Sequence, residues 1–308
     1  MSDQNQKKLG ARNRRFMHKT SEWLQSFSSI RNEAKNSDLN RDRTLSCTKI
    51  SITGGKGGVG KTSIALKTAQ EFASAGYKTL LIDCDSNLSN TAIKLGLPLE
   101  NKFEKILSGE MNFDECLIRR GNFHLLPACN GSVELFESKL NFDEVIIDII
   151  TSHEHEYDYI LLDCPAGVSR DALTLNAYCD HRWIVVTPDK SSITDSYSLA
   201  KLLSQRFGIK ENHLLVNMYQ NEKQFQKVVL TLSETIENFL GARTMILGGI
   251  QKYDVAAEGF DTFFLSEGKN EFHRNFVKLL LGFTEKAGGP LSAPRKSVSQ
   301  MAYEHDVH

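Results

Sequence analysis

The sequence predicts an α/β fold: a doubly wound, mostly parallel sheet with helices on both faces. Three observations carry that expectation. From residue 48 onward, short apolar runs rich in β-branched residues alternate with stretches of helical spacing. The runs are unbroken rather than alternating, which marks strands covered on both faces. The first run also ends in a glycine-rich loop that opens a helical stretch, the kind of junction where such sheets hold ligands.

Strands are read at residues 49–53, 79–83, 123–127, 159–163, 183–187, 214–217 and 244–247. Helical spacing occupies residues 61–75, 142–151, 169–178, 193–206 and 225–240. Strands separated by helices argue for parallel neighbours. The loops that begin at Gly54, Asp83 and Asp163 then converge at the carboxyl ends of the sheet. This organised region is expected over residues 48–286. Residues 1–47 form a polar, basic arm whose one amphipathic stretch carries Trp23, Leu24, Phe27 and Ile30. Residues 287–308, with Gly-Gly-Pro and several serines, read as a disordered tail.

Composition narrows the class. Apolar content of 40% and charge of 24% in 308 residues are ordinary for a soluble protein. The net charge of −1 hides ten Lys/Arg against five Asp/Glu in residues 1–48. Excess positive charge in the arm rather than on the body argues against specific nucleic-acid binding and for a partner surface, with a solvated tail as the plain alternative. Six cysteines without a CxxC pair suit a reducing compartment. Neither a signal peptide nor a run of spanning length is seen, so the expected location is cytoplasmic.

The stretch Thr53-Gly-Gly-Lys-Gly-Gly-Val-Gly-Lys-Thr-Ser63 fits a phosphate-binding loop between a strand and a helix. Its glycines let successive N–H groups face an anion, and the helix N-terminus adds its dipole. The cradle is Gly57, Gly58, Val59, Gly60, Lys61, Thr62 and Ser63. Lys61 is expected at the β/γ-phosphates and the Thr62 hydroxyl on Mg²⁺. After the second strand come Asp83 and Asp85, carboxylates that can orient an attacking water and sense a γ-phosphate. Asp158-Tyr-Ile-Leu-Leu-Asp-Cys-Pro-Ala-Gly-Val168 ends a buried strand in Asp163, a candidate partner of the magnesium shell, with Asp83 near the same shell. The backbone of Ala166 and Gly167 follows as a γ-phosphate contact. No Asn/Thr-Lys-x-Asp element of the guanine-reading type is present. His153-Glu-His155 reads as the solvated end of a helix rather than a metal site.

The arrangement Lys56-Gly-Gly-Val-Gly-Lys-Thr62 resembles the deviant Walker A loop of the MinD/ParA ATPases, P-loop NTPases of the SIMIBI class. The resemblance runs over about residues 48–285. It implies that Lys56 crosses a dimer interface to the partner's phosphates, that Asp85 is the hydrolytic aspartate, and that Asn217 reads adenine. It thus implies ATP and Mg²⁺ as cofactors and an ATP-dependent homodimer. Within the group, Thr187-Pro-Asp-Lys-Ser-Ser-Ile-Thr-Asp-Ser-Tyr197 is similar to an element of the flagellar-number regulators FlhG/FleN. Asp3-Gln-Asn-Gln-Lys-Lys-Leu9 resembles the element through which those proteins stimulate an SRP-type GTPase, FlhF. The expectation is a slow ATPase working as a dimerisation switch for flagellar number or placement. DNA partition, division-site placement and a non-hydrolysing scaffold stay as alternatives. In residues 269–286, Phe272, Phe276, Leu279, Leu280 and Phe283 share one helical face. That face either binds membrane in the ATP state or packs permanently on the sheet.

Overall fold

The computed structural model describes residues 47–85, 91–97, 103, 105–106, 110–127, 141–255, 257–266 and 270–287. Residues 1–46, the tail beyond residue 287 and residues 86–90 lie outside the described residues.

Eight strands make one sheet in the order β3-β4-β2-β5-β1-β6-β7-β8. They are β1 (Thr48–Thr53), β2 (Thr79–Asp83), β3 (Ile118–Arg120), β4 (Phe123–Leu126), β5 (Tyr159–Asp163), β6 (His181–Val186), β7 (Glu211–Tyr219) and β8 (Arg243–Gln251). All neighbours are parallel except β3 and β4, which pair antiparallel at one edge. The helices are α1 (Lys61–Ser74), α2 (Thr91–Lys94), α3 (Phe113–Cys116), α4 (Phe142–His153), α5 (Arg170–Tyr178), α6 (Lys190–Phe207), α7 (Glu222–Leu240), α8 (Ala257–Leu265) and α9 (Glu271–Ala287).

The strands are buried on both sides because both sides are covered. Ile50, Ile52, Leu81, Leu161, Trp183, Val185 and Leu215 pack into one core with Ile64, Leu66 and Phe72 of α1 and with residues of α8 and α9. The alternate residues Ile184, Val186, Leu214 and Val216 pack into a second core with Leu173 of α5, Leu199 and Leu203 of α6, and Val228, Leu232 and Ile236 of α7. The period of two within a continuous apolar run thus assigns each side chain its layer. Ser51 and Asn176 are buried polar residues that partner each other: Ser51 Oγ donates to Asn176 Oδ1 at 2.7 Å, and Asn176 Nδ2 donates to Thr53 Oγ1 at 3.1 Å and to the Ala172 carbonyl at 2.7 Å. This peg fixes α5 against β1, the strand that feeds the glycine loop.

Helix starts follow their caps. Asp189 caps α6 by accepting from Ser192 N–H at 2.9 Å, and Asn221 caps α7 by accepting from Gln224 N–H at 3.0 Å. Both helices therefore begin three residues before their first apolar spacing signal.

For the last helix, the choice left open by the sequence falls to packing. Phe272, Phe276, Leu279, Leu280 and Phe283 of α9 are all at most 7% exposed. At about 1.5–3 kcal/mol per buried large apolar side chain, lifting this face off the sheet costs on the order of 10 kcal/mol. Of the two readings the sequence left open for this face, the structure has it packed as core. Among the described residues, no helix is long and apolar enough to cross a membrane.

Candidate functional site

β1 delivers the chain to residues 54–60, and close backbone approach dictates the glycines there. A Cβ on Gly54 would lie 2.8 Å from the Val185 carbonyl, and one on Gly55 would lie 2.2 Å from the backbone carbon of Asp195. Gly60 has φ +96°, and a Cβ there would meet the Asn217 amide nitrogen at 2.4 Å. Gly60 is also the N-cap of α1 and offers no side-chain cap, and the first turn holds no acidic residue. The helix therefore starts with open N–H groups and no negative charge to compete with an anion.

On the β5 side of the loop stands a pair of buried carboxylates. Asp83 and Asp163 are register partners at the ends of β2 and β5, 1% and 2% exposed. Asp83 accepts from the Thr91 hydroxyl and, at 3.1 Å, from the Asp85 backbone N–H. Burial and the Asp83 carboxylate push Asp163 well above the usual carboxylate range, while a hydrogen bond from Thr62 and the Lys61 charge pull the other way. Asp163 Oδ1 is buried with no hydrogen-bond partner. Two carboxylates, a threonine hydroxyl and an orphaned oxygen suit a hard divalent cation such as Mg²⁺, with Thr62, Asp83 and Asp163 around it. Asp85 is half-buried on the same loop.

The loop after β5 returns to the glycine loop: Gly167, at φ +90°, donates its N–H to the Gly54 carbonyl at 3.1 Å. Here the Gly167 N–H expected on a γ-phosphate is spent on the phosphate loop itself. Asn217 is likewise engaged. Its Nδ2 donates to the Val59 carbonyl at 2.8 Å, its Oδ1 accepts from Met218 N–H at 3.0 Å, and it is 3% exposed. In this structure the residue expected to read adenine supports the loop from behind. Met218 follows at φ +60°, the one non-glycine with positive φ among the described residues.

On the far side of the loop, away from the carboxylates, lies a cavity of about 400 Å³. Residues 56–59, the β6–α6 turn (Thr187, Pro188, Asp189), Met218, Gln220 and Gln224 after β7, and Lys252 after β8 line it. A nucleotide with its phosphates along the loop has the carboxylate pair at one end and this cavity, large enough for a nucleoside, at the other. Lys56 stands at the cavity's edge. Its Nζ donates to Asp189 Oδ1 at 3.0 Å and to Ser191 Oγ at 2.7 Å. Hydrogen bonds from the Ser191 and Thr187 hydroxyls, then the Ser192 N–H and Lys56, hold the Asp189 carboxyl far below its usual range. Thr187, Asp189 and Ser191 were legible as a family-like stretch but not as partners of Lys56, because nothing local in the sequence links residues 133 positions apart.

A glycine loop on a helix N-terminus, beside paired buried carboxylates and a nucleoside-sized cavity, defines a P-loop nucleotide-binding protein. Residues 47–204 match the AAA domain family model. The antiactivator FleN of Pseudomonas aeruginosa is 27% identical over 202 residues, 65% of this chain and 72% of that protein. The septum site-determining protein MinD of Bacillus subtilis is 27% identical over 197 residues, 61% and 71% of the two chains. Among solved structures, MinD from Pyrococcus horikoshii complexed with Mg-ADP aligns with a TM-score of 0.64 at 21% identity, over 80% of this chain and all of that one. The chain belongs to the AAA domain family, as a MinD/ParA-type ATPase similar to FleN.

Proposed function

We propose that this chain is an ATP-dependent dimerisation switch that hydrolyses ATP slowly and controls the number or placement of flagella. The observation that carries the reading is the pair of lysines in one loop that serve opposite sides. Lys61 lies within electrostatic reach of the buried Asp163, while Lys56 extends to the β6–α6 turn. Lys61, Thr62, Ser63 and the N–H groups of Gly57, Gly58, Val59 and Gly60 bind the phosphates. Thr62, Asp83 and Asp163 hold Mg²⁺, which when bound offsets phosphate charge and fixes phosphate geometry. Asp85 orients the attacking water. The backbone of Ala166 and Gly167 would contact the γ-phosphate, and the Gly167 N–H would have to release the Gly54 carbonyl to do so. Asn217 positions the loop from below the base, and the cavity beyond it takes adenosine.

Lys56 reaches the phosphates of a second copy, which makes nucleotide and dimer interdependent. The flagellar reading draws on the likeness to FleN and on residues 187–197. The basic arm, residues 1–47, is offered to an SRP-type GTPase. The switch works in the cytoplasm; membrane contact through residues 269–286 would require α9 to leave the sheet, so we assign α9 to the core.

Sedimentation of the chain with ATP, ADP or no nucleotide tests the switch. ATP alone should give dimers, Lys56→Ala and Lys61→Ala should stay monomeric, and Asp85→Ala should persist as the ATP dimer. An Asp85→Ala protein that turns over ATP at the normal rate would sink the mechanism.

A further inference from the structure

Lys56 is seated on Asp189 and Ser191, and Asp189 has further donors of its own. Asp189 accepts from the Thr187 hydroxyl at 2.5 Å, from the Ser191 hydroxyl at 2.7 Å and from the Ser192 N–H at 2.9 Å. Its carboxylate is therefore fixed at the N-terminus of α6 by three donors of its own turn. The loop that carries Lys56 is fixed against the same helix, since Gly55 packs on the Asp195 backbone so tightly that no Cβ fits. Residues 187–197, which the sequence marks as family-like and the phosphate chemistry leaves without a task, thus meet the glycine loop at two points.

We propose that Asp189, with Thr187 and Ser191, is a positioning residue that holds Lys56 within its own subunit and so sets the threshold for dimerisation. This rests on the reading that Lys56 crosses to a second copy. An ammonium carries one charge, and a side chain extended to another subunit moves away from the carboxylate it now contacts. Each subunit must therefore give up its own Lys56–Asp189 pair before it can engage the other. The restraint is modest, because the two side chains are 43% and 45% exposed. Exposed pairs of this kind are worth roughly a factor of two to five each, and two seats open per dimer, so their loss should tighten the dimer roughly four- to twenty-five-fold.

Asp189→Asn is the decisive variant. It keeps the cap of α6 and the shape of the side chain but removes the charge. With a non-hydrolysable ATP analogue, the dimer constant of Asp189→Asn should tighten roughly four- to twenty-five-fold over the wild type, and Ser191→Ala should move it part of the way. An unchanged or weakened dimer would overturn the proposal, the weakened case making Asp189 a residue that presents Lys56 to the partner. The second readout does not need a dimer. In the nucleotide-free chain, the rate at which an N-hydroxysuccinimide ester labels Lys56, read by peptide mass spectrometry, should rise in Asp189→Asn. An unchanged rate shows that no seat exists. A wild type that never dimerises with the analogue, while labelling still rises in the variant, sinks the dimerisation switch and leaves the seat as a contact without that role.

Discussion

At Asp163 a carboxylate lies 2% exposed beside Asp83 with one oxygen unpartnered. The Thr62 hydrogen bond and the Lys61 charge do not outweigh burial and the neighbouring Asp83 carboxylate, so the ionised group costs stability, and folding tolerates that only where something else is gained. The proposed gain is a cation site, so stability and binding should part company. Asp163→Asn keeps the shape and an acceptor for Thr62 but removes the charge, and its nucleotide-free melting temperature should rise by a few degrees. The same variant should lose Mg²⁺-dependent nucleotide binding in calorimetry. A lower melting temperature would mean that the carboxylate is compensated in a way its unpartnered oxygen does not reveal. The residue was legible in the sequence only because an aspartate ending a buried strand, weak evidence alone, accompanies a phosphate loop in the same chain. Asn217 was legible only in part: its position stood out, but its grip on Val59 depends on how β7 and the loop meet in space.

Elements divide in the same way. The parallel strands were readable from their apolar runs, and α1, α4, α5, α6 and α7 from their spacing. β3 was missed because a strand of three residues containing Arg119 and Arg120 has no apolar period. β8 runs on to Gln251 through Gly248 and Gly249, which read as a stop but form part of an irregular pairing with β7, with Gly248 at φ +138°. The largest surprise is how α9 is tied to α1. Lys67, fully buried on α1, pairs with Glu71 at 2.7 Å, donates to the Ser266 carbonyl at 2.6 Å and lies 3.3 Å from His273 Nδ1 of α9. Removing one partner strands the others in low dielectric, whereas replacing the pair with apolar residues removes the desolvation cost as well. Lys67→Met should therefore destabilise the fold by about 3–5 kcal/mol in urea unfolding, and Lys67→Met with Glu71→Leu should recover most of that loss. Phe276→Ala, which empties part of the α9 core, should cost about 3–5 kcal/mol. A near-zero effect at Phe276 would show that α9 is loosely attached and reopen the membrane reading of residues 269–286.

For the whole molecule, the arrangement separates three tasks. On the proposed function, nucleotide chemistry lies at the carboxyl ends of β1, β2 and β5, the lysine proposed to cross to a second copy lies toward β6, and the excess basic charge lies in the N-terminal sequence. A switch built this way has its output set by which state persists, not by how fast phosphate leaves. Two variants that both abolish turnover should then have opposite consequences in the cell. Lys61→Ala loses the ATP state, and Asp85→Ala is trapped in it. Flagella counted and mapped in strains carrying each variant as the sole copy should depart from the wild type in opposite senses, one toward too many or too few and the other the reverse. A scaffold indifferent to nucleotide would leave both strains normal, and a regulator that acts only through hydrolysis would make the two strains alike. Normal flagella with anucleate cells or minicells would move the same switch to chromosome partition or division, because a nucleotide-set dimer can serve any process that reads which state persists.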